Sequence, residues 1–429
     1  MTRFRLVGIM LAVAALAVSV AGAAAGPNAA TQSGSLSMIG IWSGPEQKSM
    51  QAVIDAFEKK NPNVTVNYTS GGDNTPTILS TAVQGGNPPD VAAVGQPGLV
   101  KDFANRGALK PITFARGVIA RNYTQDWLKL GTVNGRLYGL FFKGANKSTV
   151  WYSVQAFKNA GVKAPKTYPA LLAAAKTLLA SGTPAYSIGG ADGWTLTDLF
   201  ENIYLRQAGA ARYDQLTSHK IKWTHGSVKA ALRTMGQILS DSNNILGGTS
   251  GALQTDFATS VANVFSKPAK AAMVIEGDFV PGVGATSPAK PITDFNVFTF
   301  PSVGGSVPAV VGGGDTVIMF KDSPAARAFI SYLATPAAAT VWAKRGGFSS
   351  PNKNVKPSAY RDPLNRATAT ALARAKTFRF DLSDLQPSAF GGTVGSGLFK
   401  LFQDLLKNPS NVNGIAAQME AAAAKAYKK

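Results

Sequence analysis

Hydrophobic positions change period several times along the first quarter of the chain. Leu36 to Ile41 is a short, mostly apolar run ended by Trp42 and the small residues Ser43 and Gly44, as a buried strand would be. Met50, Val53, Ile54 and Phe57 then recur at three- and four-residue spacing. That spacing predicts a helix with one buried face, started at Ser43-Gly44-Pro45-Glu46 by a small polar residue, a proline and an early acid. Lys59-Lys60-Asn61-Pro62 ends it, and Val64 to Tyr68 alternates as a second strand. Another helix begins at Pro76, and Gly85-Gly86-Asn87-Pro88-Pro89 forces a turn into a third strand, Asp90 to Val94. The order βαβα predicts a parallel sheet whose loops beyond the carboxyl ends of the strands face a common crevice.

The alternation continues with different spacing. A helical segment over Leu99 to Phe103, the turn Asn105-Arg106-Gly107 and a helix around Trp127 lead to extended runs at Leu137 to Phe142 and Ser148 to Ser153. Helices over Gln155 to Ala160 and Tyr168 to Leu179 follow, as for a second α/β domain entered through a crossover near Phe141. Strands are expected at Ala271 to Ile275, Phe295 to Phe300 and Thr316 to Phe320. A helix starts at Ser323-Pro324, and the chain from Ala367 reads as mainly helical, including Leu398 to Leu406 and Ile415 to Tyr427.

Length and composition add an address. A chain of 429 residues suggests about two domains, and 45% hydrophobic residues place it with globular proteins. Arg3 and Arg5 precede an apolar stretch, Leu6 to Val20, and the small residues Gly22-Ala23-Ala24-Ala25, the pattern of a secretory leader over 1–25. Residues 26–35 read as a flexible linker. There is no cysteine, so neither a disulfide nor a lipid-anchored cysteine is available; Ala23 stands where a lipobox would carry one. The net charge of +20 points first to nucleic acid, but the basic residues are dispersed and no nucleic-acid-binding motif is present. For an exported chain the charge fits attraction to an anionic membrane or wall surface instead.

Catalytic sets are missing from the sequence. The two histidines, His219 and His225, lie in polar sequence, and there is no metalloprotease, phosphate-loop or nucleophile-elbow motif. No metal-ligand spacing or cofactor motif stands out, and Gly312-Gly313-Gly314 lacks the pattern of a dinucleotide site. A binding cleft fits better, because aromatic side chains in loops offer flat faces to sugar rings while charged and amide groups take the hydroxyls. Trp194, in Gly189-Gly190-Ala191-Asp192-Gly193-Trp194, reads as a loop tryptophan facing ligand. Trp151 and Trp342 are either core residues or ligand plates. Asp90 either caps local backbone or stands at the ligand rim, and Lys143 is a surface lysine unless the crossover brings it to the cleft. Glu276 and Asp278 bracket a glycine at a strand end, where one of them would meet a ligand.

Together, Ile41-Trp42-Ser43-Gly44, Phe57-Glu58-Lys59-Lys60-Asn61-Pro62, Pro88-Pro89-Asp90-Val91, Tyr138-Gly139-Leu140 with Trp151-Tyr152, and Ala271 to Gly277 resemble the solute-binding proteins of bacterial ABC importers. The likeness is to the sugar-binding members, maltose/maltodextrin- and alpha-glucoside-binding proteins among them, and it spans essentially the whole chain after the leader. It implies an α/β, two-lobed periplasmic-binding-protein-like fold of type II, hinged by two or three crossover segments. The lobes would be 36–142 with 301–320, and 143–300 with 321–429. It implies a ligand site drawn from Trp42, Ser43, Gly44, Asp90, Gln96, Lys143, Trp194, Glu276, Asp315 and Trp342, with no cofactor and no catalysis. The expected partners are an oligosaccharide such as an alpha-glucoside and the permease subunits, with the protein a monomer. The high positive charge leaves open a phosphorylated or acidic solute such as a glycerol phosphate ester, and an exported glycosidase or a surface adhesin are the remaining readings.

Overall fold

Strands β1 (Gly34–Gly40), β2 (Val64–Ser70) and β3 (Val91–Val94) are parallel and adjacent, with β1 between the other two. They belong to a computed structural model that describes residues 34–284, 289–306 and 308–428. The leader expected over 1–25 lies outside the described residues, as does the expected linker up to residue 33, and β1 already begins at Gly34. Every residue of β3 is buried. Val91 and Ala93 face one apolar core while Ala92 and Val94 face another, so helices cover both sides of the sheet.

The helix Gly44–Glu58 shows why the sequence pattern worked. Met50, Val53, Ile54 and Phe57 are buried as one stripe, and the Asn61 side chain donates to the Phe57 carbonyl where the helix stops. After a short hairpin, β4 (Thr132–Val133) with β5 (Arg136–Leu137), the long strand β6 (Gly139–Asn146) leaves the first half of the molecule. It leads directly to β7 (Thr149–Ser153), the centre of a second, antiparallel sheet between β8 (Met273–Ile275) and β9 (Phe295–Thr299). The chain returns in β10 (Val310–Met319), which pairs antiparallel with both β3 and β6, and parallel with β11 (Phe378–Phe380). The first sheet thus runs β11-β10-β3-β1-β2.

The second half is more helical than the sequence pattern suggested. Helices Tyr168–Ala180, Trp194–Ala208, Gly226–Leu239, Gly397–Lys407 and Val412–Tyr427 pack one large core around the small sheet. Two helices sit elsewhere than the expected division had them. Pro324–Leu333 and Pro336–Ala343 bury Phe329, Ile330, Leu333 and Trp342 in the core of the first sheet, although 321–429 was expected to belong to the second lobe. The reason is connectivity: β10 ends in the first sheet, and a helix that follows after only four residues packs on the nearest apolar face.

Asp90 is a strand clamp. Its Oδ2 accepts from the Ser37 amide at 2.7 Å and from Ser37 Oγ at 2.8 Å, while Lys321 Nζ lies 3.7 Å from Oδ1. It stands at the amino end of β3, at the opposite edge of the sheet from the carboxyl-end loops, and the expectation that it meets ligand is corrected accordingly. Asp90→Ala strands the Ser37 donor and should lower stability by about 1–3 kcal/mol. Urea unfolding checks this; an unchanged midpoint would remove the clamp role.

Candidate functional site

Beyond the carboxyl ends of β1, β2 and β3 lies a cavity of about 980 Å³. One wall comes from the loops after these strands: Ser43 to Glu46, Gly71 to Asn74, and Gly95-Gln96. The other carries Asp192, Trp194, Asp256, Phe257 and Phe279, and the floor is Lys143 to Ala145, Lys147, Gly314 and Asp315 from the paired strands β6 and β10 and the turn after β6. Gly314 is needed on this floor because a Cβ there would come within 2.7 Å of the Lys143 carbonyl oxygen.

Six of the ten residues expected from the sequence line this cavity: Ser43, Gly44, Gln96, Lys143, Trp194 and Asp315. Trp42 and Trp342 do not. Their rings meet edge to face at 5.1 Å inside the first core, so both are packing residues, and Trp42 Nε1 donates to Asp315 Oδ2 at 2.6 Å from behind the wall. Trp151 is likewise buried. Glu276 is buried with Oε2 unpartnered, facing a separate small void beside Tyr186 and Leu199 rather than the cavity. Asp278 is equally buried, accepting from the Asn146 amide at 3.0 Å and from Ser349 Oγ at 2.5 Å. Of that strand end, it is Phe279 that reaches the cavity.

Trp194 is not a loop residue but the first residue of the helix Trp194–Ala208. Gly193 precedes it at φ 82°, a conformation that disfavours side chains, and turns the indole toward the cavity. The ring packs against Phe257 at 4.9 Å and Phe279 at 6.1 Å, and Nε1 donates to Asp73 Oδ2 at 3.4 Å across the cavity. Glu46, Asp73, Lys147, Asp192, Phe257 and Phe279 were not foreseen as lining residues. Glu46 was visible only as a helix-start acid, and Phe257 follows the helix-capping Asp256; neither signal says that the residue faces a cavity.

Charge is arranged in two paired sets. Lys143 Nζ lies 2.5 Å from Glu46 Oε1 and 3.7 Å from Asp315 Oδ2. Lys147 Nζ lies 3.0 Å from Asp198 Oδ1 and 2.5 Å from Asp381 Oδ2. Burial works against both ammonium groups, but the carboxylates outweigh it and hold both above the ordinary lysine range. Asp198 and Asp381 share one cation, so burial pushes Asp198 up while Lys147 keeps Asp381 below the usual range. Among the described residues, Asp198, Glu201 and Asp381 are the acids close enough together to hold a metal ion. Lys147 already occupies two of them, and Glu201 accepts from Tyr213 and the Leu382 and Ser383 amides. Burial, with Asp73 and Asp256 nearby, pushes the Asp192 carboxyl up to about 6 against the Phe257 amide that donates to it.

Residues 42–340 match the family described as bacterial extracellular solute-binding protein, and the chain belongs to that family. It is 34% identical over 373 residues to the osmoprotective compounds-binding protein GgtB of Synechocystis sp., covering 85% of this chain and 87% of the relative. The alpha-glucosides-binding periplasmic protein AglE of Rhizobium meliloti is 33% identical over 381 residues, covering 85% and 81%. Among solved structures, the bacterial solute receptor AcbH, described as preferring b-D-galactopyranose, superposes with a TM-score of 0.80 at 17% identity, over 92% of this chain and 98% of its own. That likeness shows the expected two-lobed α/β fold. The family is one of exported binders and not of catalysts, so the protein works outside the cytoplasm by holding a solute.

Asp278 offers a test of the buried charge. Burial raises its carboxyl to about 6, against about 3.9 in an unfolded chain, although Ser349, the Asn146 amide and Lys143 favour the ionised form. The native state therefore binds more protons between these values, and the contribution of Asp278 to stability falls as pH rises from about 4 to about 6, then levels. Wild-type stability relative to Asp278→Asn should decline by about 3 kcal/mol across that window. Urea unfolding at several pH values reads this, and parallel profiles for the two proteins would contradict it.

Proposed function

We propose that the cavity receives an uncharged carbohydrate, an alpha-glucoside or related oligosaccharide, and that the loaded, closed receptor delivers it to the permease of an ABC importer. One observation carries the reading: a single cavity joins aromatic plates, Trp194, Phe257 and Phe279, to a rim of hydroxyl-accepting groups including Glu46, Asp73, Asp192 and Asp315. Sugar rings present apolar C–H faces and a hydroxyl edge, and this combination serves both. The volume, about 980 Å³, stands at the upper end of the roughly 300–1,000 Å³ of small-molecule sites, which suits more than one sugar unit. The name of AglE, for alpha-glucosides, supports the same class.

The wall that carries Trp194 and the wall that carries Asp73 belong to different sheets and cores, joined through β6 and β10. A ligand that touches both favours the closed arrangement by its differential affinity, and closure is the signal a permease reads. Ser43, Gly44, Gln96, Lys143, Trp194 and Asp315 are the foreseen residues we assign to the ligand, joined by Glu46, Asp73, Asp192, Phe257 and Phe279. The receptor acts as a monomer, and its charge of +20 draws it to an anionic membrane or wall surface.

Titration calorimetry with a panel of neutral alpha-glucosides and other oligosaccharides should give saturable heat, and small-angle scattering a more compact particle with the binding sugar. A panel without heat or thermal shift would sink the carbohydrate reading. Trp194→Ala should weaken binding by about 1–3 kcal/mol while the thermal midpoint stays near that of wild type. Unchanged affinity would return Trp194 to a packing role.

A further inference from the structure

The cavity presents two lysines and six carboxylates, Glu46, Asp73, Asp192, Asp256, Asp315 and Asp384. Neither lysine is free to meet an anion. Lys147 is held between Asp198 and Asp381, both buried. Lys143 reaches the cavity but is held by Glu46 at 2.5 Å and Asp315 at 3.7 Å, with its side chain 5% exposed. Asp73, Asp192, Asp256 and Asp384 make no ion pair among the described residues, and Lys147, which acts on Asp73 and Asp384 from a distance, is already held, so these carboxyls bring no further free cation to an incoming anion. Of the two lysine partners lining the cavity, Glu46 makes the closer contact, from the first turn of the helix Gly44–Glu58, and Trp42 Nε1 fixes the other, Asp315, by its hydrogen bond.

We propose that Glu46 sets the charge selectivity of this receptor: by pairing with Lys143 it withdraws the one cation the cavity could offer, so uncharged glycosides are bound and their phosphate or carboxylate forms are turned away. This rests on the carbohydrate reading of the cavity and decides between that reading's neutral and acidic ligands. A positive protein therefore keeps a binding site that repels anions. Removing the Glu46 charge leaves Lys143 facing the cavity with Asp315 as its remaining partner within 4 Å, and a phosphate can then take the vacated place.

The test compares two neutral probes, maltose and trehalose, with maltose 6'-phosphate and trehalose 6-phosphate by titration calorimetry on the full mature protein. Wild type should bind a neutral sugar at least about 100-fold more tightly than its phosphate. Glu46→Gln, of equal size, should cut that ratio by about 10-fold or more, and adding Lys143→Met should abolish the cut. Asp315→Asn supplies a second route to the same release should the Glu46 variant fail to fold, with melting curves reporting folding in each case. Wild type that binds the phosphates as well as the neutral sugars, or a ratio unmoved in both single variants, overturns the role of Glu46 and leaves the carbohydrate reading standing. Absence of binding to the four probes and to every sugar of the oligosaccharide panel overturns the carbohydrate reading, and the role of Glu46 with it; where another panel sugar binds, it and its phosphate replace the probes.

Discussion

The ammonium of Lys147 is the contact on which the rest of the molecule depends. It lies just past the end of β6, where the chain leaves the first sheet, and it binds Asp198 from a helix of the second core and Asp381 from the segment after β11. Three stretches far apart in sequence therefore meet at one buried charge. Such a charge is costly unless paired, and once paired it is difficult to rearrange. The Asn202 side chain adds a bond to the Lys147 carbonyl, and Ser383 donates to Asp381, so the junction is braced on several sides. Trp194 begins the same helix as Asp198, and the position of its ring relative to the floor follows from this brace.

Much of the first half of this arrangement was legible in the sequence, because its elements are local. A stripe such as Met50, Val53, Ile54 and Phe57 declares a helix without reference to anything distant, and Ser43-Gly44-Pro45 declares its start. The helices between Trp194 and Phe265 were harder to place, since Trp194–Ala208 carries Asp198, Glu201, Asn202 and Arg206 on one face as a solvent-facing helix would, yet that face is buried among hydrogen bonds and an ion pair. The strand ends correctly pointed to a cavity, but position near a crevice does not fix where a side chain turns. Trp42 leaves β1 at the crevice and folds back into the core, and Asp90 sits at the wrong end of its strand. Lys147 with Asp381, and Asp73 with Trp194, are pairs that only the folded topology brings together.

The distribution of charge has a physical logic that composition concealed. Five of the 23 acidic residues are buried, and six more line the cavity, whereas most of the 43 basic residues remain for the exterior. The outer surface is therefore more positive than the net charge suggests, and the binding site is of opposite sign. A solution-facing field that gathers anions thus surrounds a recess whose lining carries more carboxyls than lysines.

The placement of β10 constrains how the chain can be made. β3 must wait for Val310–Met319 to complete the sheet at its edge, since Val91 pairs with Met319 and Val94 with Thr316. By then the chain between them, including β7, β8 and β9, has already emerged. An amino-terminal half finished by a late strand has high contact order, and its β3 edge stays open until most of the polypeptide is available. The half that emerges first therefore lacks the strand that closes its own sheet, and it can finish folding only after the residues of the small second sheet have been made.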